Sequence, residues 1–280
     1  MVVKIAQISD LHFANASLNP LQFFSKRWLG NLNALLSRKK VFCQERLRSL
    51  AGLLKEEKVS HLLVTGDIST TSHPKEFSMA QQLFSEIEER GISVHVLPGN
   101  HDNYTKRAFR KKTFYKFFDS PLQEKGVFVQ PLAAHWWLVT LDTTLATSLI
   151  SSQGKFSELL HANLLNALSF IPSSDQVILA NHFPLFEHES PRKALLGAEK
   201  LRELIQEFPN IIFYMHGHTH AHCIADLRNS GLPIILDCGS TPHHKQGAFH
   251  LVELEKSRYT VKVFRWKESW QLSQEQVFYG

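Results

Sequence analysis

Six short apolar runs, each ending in small or chemically active residues, constrain this chain more than any other feature. Residues 2–8 lead into Ser9-Asp10, residues 61–64 into Thr65-Gly66-Asp67, and residues 92–97 into Pro98-Gly99-Asn100-His101-Asp102. Residues 136–141 lead into Asp142, residues 177–180 into Asn181-His182, and residues 211–215 into His216-Gly217-His218. Runs this short and this apolar read as buried strands. Helical spacing lies between them: Leu47, Leu50, Leu53 and Leu54 within 43–57, and similar patterns over 75–90, 156–170 and 194–208. After Cys223 turns replace helices, and strands are expected at 232–236, 248–254 and 259–266. The expectation is an α/β chain with β-α units first and a β-rich tail last. In an open α/β sheet, the loops beyond the carboxyl ends of the strands converge on one edge. Residues far apart in sequence can therefore meet there.

The 280 residues fit one large domain, 1–280, with no internal repeat or linker. A hydrophobic fraction of 43% and a charged fraction of 20% exclude a mainly disordered chain. The net charge of +5 favours anionic partners: phosphates, nucleic acid or an acidic membrane surface. Cys43, Cys223 and Cys238 form no C-x-x-C pair, and their odd number argues against a disulfide framework. The N-terminus runs directly into a core strand, so no signal peptide is expected, and no apolar stretch reaches transmembrane length. A cytoplasmic location follows as the expectation.

Five fragments carry the chemistry: Asp10-Leu11-His12, Gly66-Asp67, Gly99-Asn100-His101-Asp102, His182, and Gly217-His218-Thr219-His220. In an extended chain, residues two apart point the same way, which suits Asp10 with His12 and His218 with His220. Gly66 permits the tight turn that aims Asp67 outward, and a carboxylate has two oxygens with which to bridge two cations. Asn100 adds a neutral carbonyl oxygen. Mixed nitrogen and oxygen donors suit Mn, Fe, Co, Ni or Zn better than Mg or Ca.

In this order, the blocks resemble the calcineurin-like metallophosphoesterase family, whose pattern is D-x-H, G-D, G-N-H-D or G-N-H-E, H, and G-H-x-H. The resemblance covers roughly residues 3–255. It implies a four-layer α-β-β-α sandwich with two mixed β-sheets. It also implies a binuclear centre of two divalent transition-metal ions, manganese foremost, with Fe, Zn, Co or Ni as substitutes. One ion would take Asp10, His12, Asp67 and His220, and the other Asp67, Asn100, His182 and His218. Many relatives carry a second His where this chain has Phe183. The implied reaction is hydrolysis of a phosphodiester or pyrophosphate by a metal-activated hydroxide. His101 would face the substrate, as transition-state stabiliser or proton donor to the leaving group. Asp102 would orient His101 or a metal ligand.

Other histidines have plainer readings. His216 and His222 flank the last block as bystanders or outer contacts, His243 and His244 belong to a rim loop, and His95 packs inside a strand. Asp142 is structural. Two segments bear on substrate. Residues 20–42 carry Leu21, Phe24, Trp28, Leu32 and Leu35 at helical spacing, flanked by Lys26, Arg27, Arg38, Lys39 and Lys40. That is the pattern of an interfacial amphipathic helix or a cap for an acyl chain, or simply of a stripe packed on the domain. Residues 106–118 interleave six basic residues with aromatics, which suits an anionic substrate or, equally, a solvated helix face. The partner expected is a phosphorylated small-molecule or lipid-linked substrate, with peripheral contact to an acidic membrane on its inner face; nucleic acid is the weaker option. Alternatives within the resemblance are a UDP-2,3-diacylglucosamine pyrophosphatase of lipid A synthesis, a class III cyclic-nucleotide phosphodiesterase, and a non-catalytic scaffold.

Overall fold

A computed structural model describes residues 2–15, 41–146, 151–187 and 190–280. Two six-stranded sheets organise them. The first has the order β14-β13-β12-β1-β2-β3, with β1 (Val3–Ile8), β2 (His61–Val64) and β3 (Ser93–Val96) parallel. Beyond β1, β12 (Ala248–Leu254), β13 (Arg258–Lys267) and β14 (Ser269–Tyr279) follow as a meander, each antiparallel to the strand before it in the sheet. The second has the order β10-β11-β9-β7-β5-β4. Its parallel centre is β5 (Trp136–Leu141), β7 (Gln176–Ala180), β9 (Ile211–His216) and β11 (Ile234–Cys238). Antiparallel edges β4 (Val127–Ala133) and β10 (His222–Asp226) close it.

The alternation of side chains along the second sheet builds the layers. Ile178, Ala180, Phe213, Met215 and Leu236 join the core shared with the first sheet. Val177, Leu179 and Tyr214 point the other way, into a core with helix residues Leu164, Leu168, Leu201 and Leu204. The result is the expected mixed α/β sandwich, sheet on sheet with helices outside. Tyr259 of β13 reaches Trp136 and Phe213 across the gap, with ring centroids 5.6 Å apart in both pairs. Gln7 of β1 also crosses: its amide donates to the carbonyls of His216 and Leu236 at 2.9 and 3.3 Å.

Several boundaries differ from the periodicity. The helix expected over 43–57 is two pieces, α1 (Glu45–Arg48) and α2 (Leu50–Glu56), broken at Ser49. The pattern over 75–90 becomes α3 (Pro74–Glu88), started by Pro74 and a capping box between His73 and Glu76. The helices α4 (Lys106–Arg110) and α5 (Leu122–Lys125) are short. The pattern over 156–170 gives α6 (Glu158–Ser169), with Ser157 as its cap. The last helix, α7 (Ala198–Gln206), begins late because Leu195–Leu196 form β8 beside β6 (Gly154–Lys155). Strands β4, β10 and β14, all at sheet edges, and the short pair β6 and β8 are additional to the sequence reading. The amphipathic segment 20–42 lies outside the described residues, except for its last two. No described helix is long and apolar enough to cross a membrane.

Candidate metal centre

Three strand-to-loop turns of the first sheet meet two loops of the second at one edge. The turn after β1 is stitched to the turn after β2: Asp10 N–H donates to Gly66 O, His12 N–H to Asp67 O, and Phe13 N–H to Ile68 O. From the second sheet, the Gly217 N–H donates to His182 O, which ties the loops after β7 and β9 together. Asp10, His12, Asp67, His218 and His220 all have positive φ, between 47° and 75°. Non-glycine residues avoid this region unless the surroundings hold them there, and such residues gather at functional sites. Glycine is required beside them. A Cβ at Gly217 would overlap Ser9 Oγ and Asp10 Oδ2, and one at Gly99 would overlap the Asp67 carboxylate and amide.

These turns bring together all seven residues expected to donate to metals. His220 Nε2 lies 3.1 Å from Asp10 Oδ1 and 3.0 Å from His12 Nε2. His12 Nε2 is 3.9 Å from Asp67 Oδ2, and His182 Nε2 is 3.5 Å from Asp67 Oδ1. Asn100 Oδ1 and His218 Nδ1 each lie 3.2 Å from His182 Nε2. Asp10 with His12 and His220 forms one group whose donor atoms converge within 4.8 Å, and Asp67 with His182 and His218 forms another. His12, Asp67 and His101 form a third between them.

Tautomers decide whether this set fits a cation. A backbone carbonyl only accepts hydrogen bonds. His182 Nδ1–H therefore donates to Thr65 O at 2.8 Å, and His218 Nε2–H donates to Lys193 O at 3.0 Å. When both rings are neutral, the two nitrogens left facing each other carry lone pairs, which repel unless a cation or proton lies between them. Burial opposes charge on His182, but Asp67 and Asp10 beside it raise its pKa to about 9. Burial and the neighbouring His182 push His218 down to about 3. Asp67 stays ionised against the cost of its burial because imidazoles surround it, His182 foremost. Asp10 Oδ1 is buried and receives no hydrogen bond. Metal–donor bonds of about 2.0–2.2 Å put neighbouring donors about 3.0–3.5 Å apart, which matches the spacings above except the 3.9 Å between His12 and Asp67. The residues present fit divalent cations.

Asp102 acts on the loops that carry Asp67 and Asn100 through their backbone. Its carboxylate accepts from the N–H groups of Gly99, Ile68 and Ser69 and from the Ser69 hydroxyl, at 2.8–3.1 Å. It thus locks the Asp67 loop to the Asn100 loop through the backbone. The His101 ring is oriented instead by Thr70: Nδ1–H donates to Thr70 O at 2.8 Å, while the ring stacks on Tyr104. His101 N–H holds Asp67 Oδ1 at 2.7 Å.

The remaining histidines lie elsewhere. His216 is buried, with Nδ1 2.9 Å from Gly217 O; His222 packs against His250; and His95 stacks on His61. His243 sits in the loop opposite Phe42. Asp142 accepts from Tyr115 and caps Thr144. Two contributors carry no motif signal. Phe42 packs on the His12 ring, with centroids 4.6 Å apart. Asn181 accepts from the His182 N–H and the Thr143 hydroxyl, fixing the start of the His182 loop. The orienting groups of the imidazoles are mostly backbone carbonyls, which no side-chain pattern records.

A shared carboxylate between imidazole clusters, at the edge of two facing mixed sheets, defines the class: a metal-dependent hydrolase of phosphoric esters. The calcineurin-like phosphoesterase family model matches residues 3–222, and the chain belongs to that family. It is 23% identical over 229 residues to a probable glycerophosphodiester phosphodiesterase, GpdQ, of Arcobacter nitrofigilis, covering 78% of each chain. Among solved structures it is similar to a dimetal phosphatase from Danio rerio, with a TM-score of 0.70 and 14% identity over 99% of this chain and 98% of that one. It is also similar to a purple acid phosphatase from yellow lupin (Lupinus luteus) seeds, with a TM-score of 0.65 and 12% identity. That match covers 99% of this chain and 53% of the lupin protein.

Proposed function

We propose that this chain hydrolyses a phosphodiester of a small molecule with two divalent cations, manganese foremost. Asp10, His12, Asp67 and His220 would hold one cation, and Asp67, Asn100, His182 and His218 the other. The observation that carries this reading is the central place of Asp67: one oxygen faces His12, the other His182. When bound, the pair would supply charge neutralisation for the phosphate and an acidified water.

The chain's own residues do the rest. Thr65 and Lys193 fix which nitrogen His182 and His218 present. Thr70 accepts from His101 Nδ1–H and so orients the ring, whose Nε2 would hold or give a proton to the leaving oxygen. Asp102 keeps the Asp67 and Asn100 loops in register. Phe42 supplies an apolar wall on the His12 side. The likeness to a glycerophosphodiester phosphodiesterase favours a diester over a monoester as substrate. Three free cysteines support a reducing, cytoplasmic setting.

The test combines metal content with a substrate panel. The purified protein should carry close to two transition-metal ions and, with manganese, turn over bis-p-nitrophenyl phosphate and glycerophosphodiesters faster than monoesters. Asp67→Asn should lower that rate by more than the roughly 10–100-fold seen for groups that only orient a ligand. A metal-loaded protein inert towards every diester would overturn the proposal, and so would an Asp67→Asn variant as active as the parent.

A further inference from the structure

At the flank where β3 and β4, the open edges of the two sheets, come together, a second cavity of about 330 Å³ opens under residues 117–121. It shares no lining residue with the metal donors. Phe84, Phe117, Phe118 and Phe128 give it an aromatic lining, with Val94 and Val96 adding to the apolar wall. This lining is firmly backed, since Phe118 packs on Phe84, Phe114 and Phe77 at centroid distances of 5.8, 5.1 and 6.0 Å.

The charges of the lining are one-sided. Glu88 and Asp119 belong to it, and no Lys or Arg does, although the whole chain is net positive. Both carboxylates are exposed, and neither forms an ion pair among the described residues. His95 adds no positive charge. Burial and the neighbouring His61 push its pKa down to about 4, and its ring nitrogen is bonded to His61 Nδ1 at 3.0 Å.

Three other classes of ligand meet an obstacle here. An anion would face two carboxylates and no cation. A bare metal ion would lose its hydration against phenyl rings, and the metal-donor groups among the described residues lie in the other site. A neutral apolar molecule would leave the acids unused. A cation with an apolar body satisfies both features, because phenyl rings and carboxylates each attract an ammonium group. The volume is that of a small-molecule pocket. We propose that this cavity is a binding site for a small organic monocation of the alkylammonium class, separate from the hydrolytic centre and independent of its reaction.

The experiment is calorimetric titration of the full chain with choline, with its neutral isostere 3,3-dimethylbutan-1-ol, with benzyltrimethylammonium, and with benzenesulfonate as an anion of similar size. Both ammonium compounds should bind, the neutral and anionic ones at least about tenfold more weakly. Glu88→Gln with Asp119→Asn should weaken the ammonium compounds about tenfold. Both residues lie at the surface, so this variant should melt with the parent. Phe128→Leu should weaken benzyltrimethylammonium in the same direction. Equal binding of choline and its isostere would overturn the proposal. So would unchanged affinity in the double variant, or no binding of either ammonium compound.

Discussion

His182 and His218 are each held by one backbone carbonyl, and that alone sets which nitrogen each presents. Their other nitrogens, His182 Nε2 and His218 Nδ1, face each other across 3.2 Å inside a buried site. Similar economy explains Gly217, where a methyl group would strike Ser9 and Asp10. Gly217→Ala should therefore destabilise the fold by about 1–3 kcal/mol. It should also weaken metal uptake, because relief of the overlap must displace Asp10. Thermal melting and metal analysis of the variant check both, and a variant with native melting and full metal content would show that the loop gives freely. The donors themselves were legible in sequence, because each is a scarce residue type at the end of an apolar run. The role of Asp102 was not. A carboxylate next to a functional histidine suggests a side-chain partner, whereas the folded chain gives it the backbone N–H groups of three residues.

Among the elements, α3 shows how a helix start supports the site from outside it. Glu76 is almost fully buried and accepts from the N–H groups of Asn15, Thr71 and His73 and from the Thr71 hydroxyl. One carboxylate thus ties the chain after His12, the loop after Asp67 and the helix cap together. In Glu76→Gln an amide NH2 replaces one acceptor oxygen and leaves buried N–H groups unpaired. The expected cost is about 1–3 kcal/mol, read as a lower urea midpoint with an unchanged slope. The strand pair β2 and β3 predicts a pH effect. His95 is neutral in the native state down to about pH 4, while the unfolded chain protonates it near its ordinary 6.5. Between those values the unfolded state binds more protons, so stability falls as pH drops from about 6.5 towards 4. His95→Phe should flatten that part of the melting-temperature profile; identical slopes for parent and variant would refute it. Element type was readable wherever one face repeats its apolar residues. It failed at β14, where all but Trp270, Gln276 and Phe278 of eleven residues are exposed and an edge strand shows no buried face to read. It failed again between α1 and α2, where leucines keep helical spacing across a break that spacing does not report.

For the whole molecule, the candidate centre draws Asp10, His12, Asp67 and Asn100 from one sheet and His182, His218 and His220 from the other. Cations bound there would stabilise the folded form by mass action, about 2.7 kcal/mol at a hundredfold excess over the dissociation constant. Manganese should raise the melting temperature by several degrees and a chelator should reverse it, while Asp67→Asn should lose most of the response. A parent protein whose melting ignores both additions would contradict the proposed centre. The two-sheet sandwich could be expected from the order of the motifs because strand ends alone carry them. How one sheet slides over the other could not, since it depends on contacts between residues some two hundred positions apart.

Gln7 gives that sliding a handle. Its amide reaches two carbonyls of the opposite sheet from just beneath the Asp10 turn, and it is itself no donor to any cation. The candidate centre would then serve as a caliper laid across the molecule: its jaws belong to separate ladders, and its grip on divalent cations would gauge their alignment. Gln7→Leu, similar in bulk but without the amide, should loosen that grip while every donor side chain stays in place.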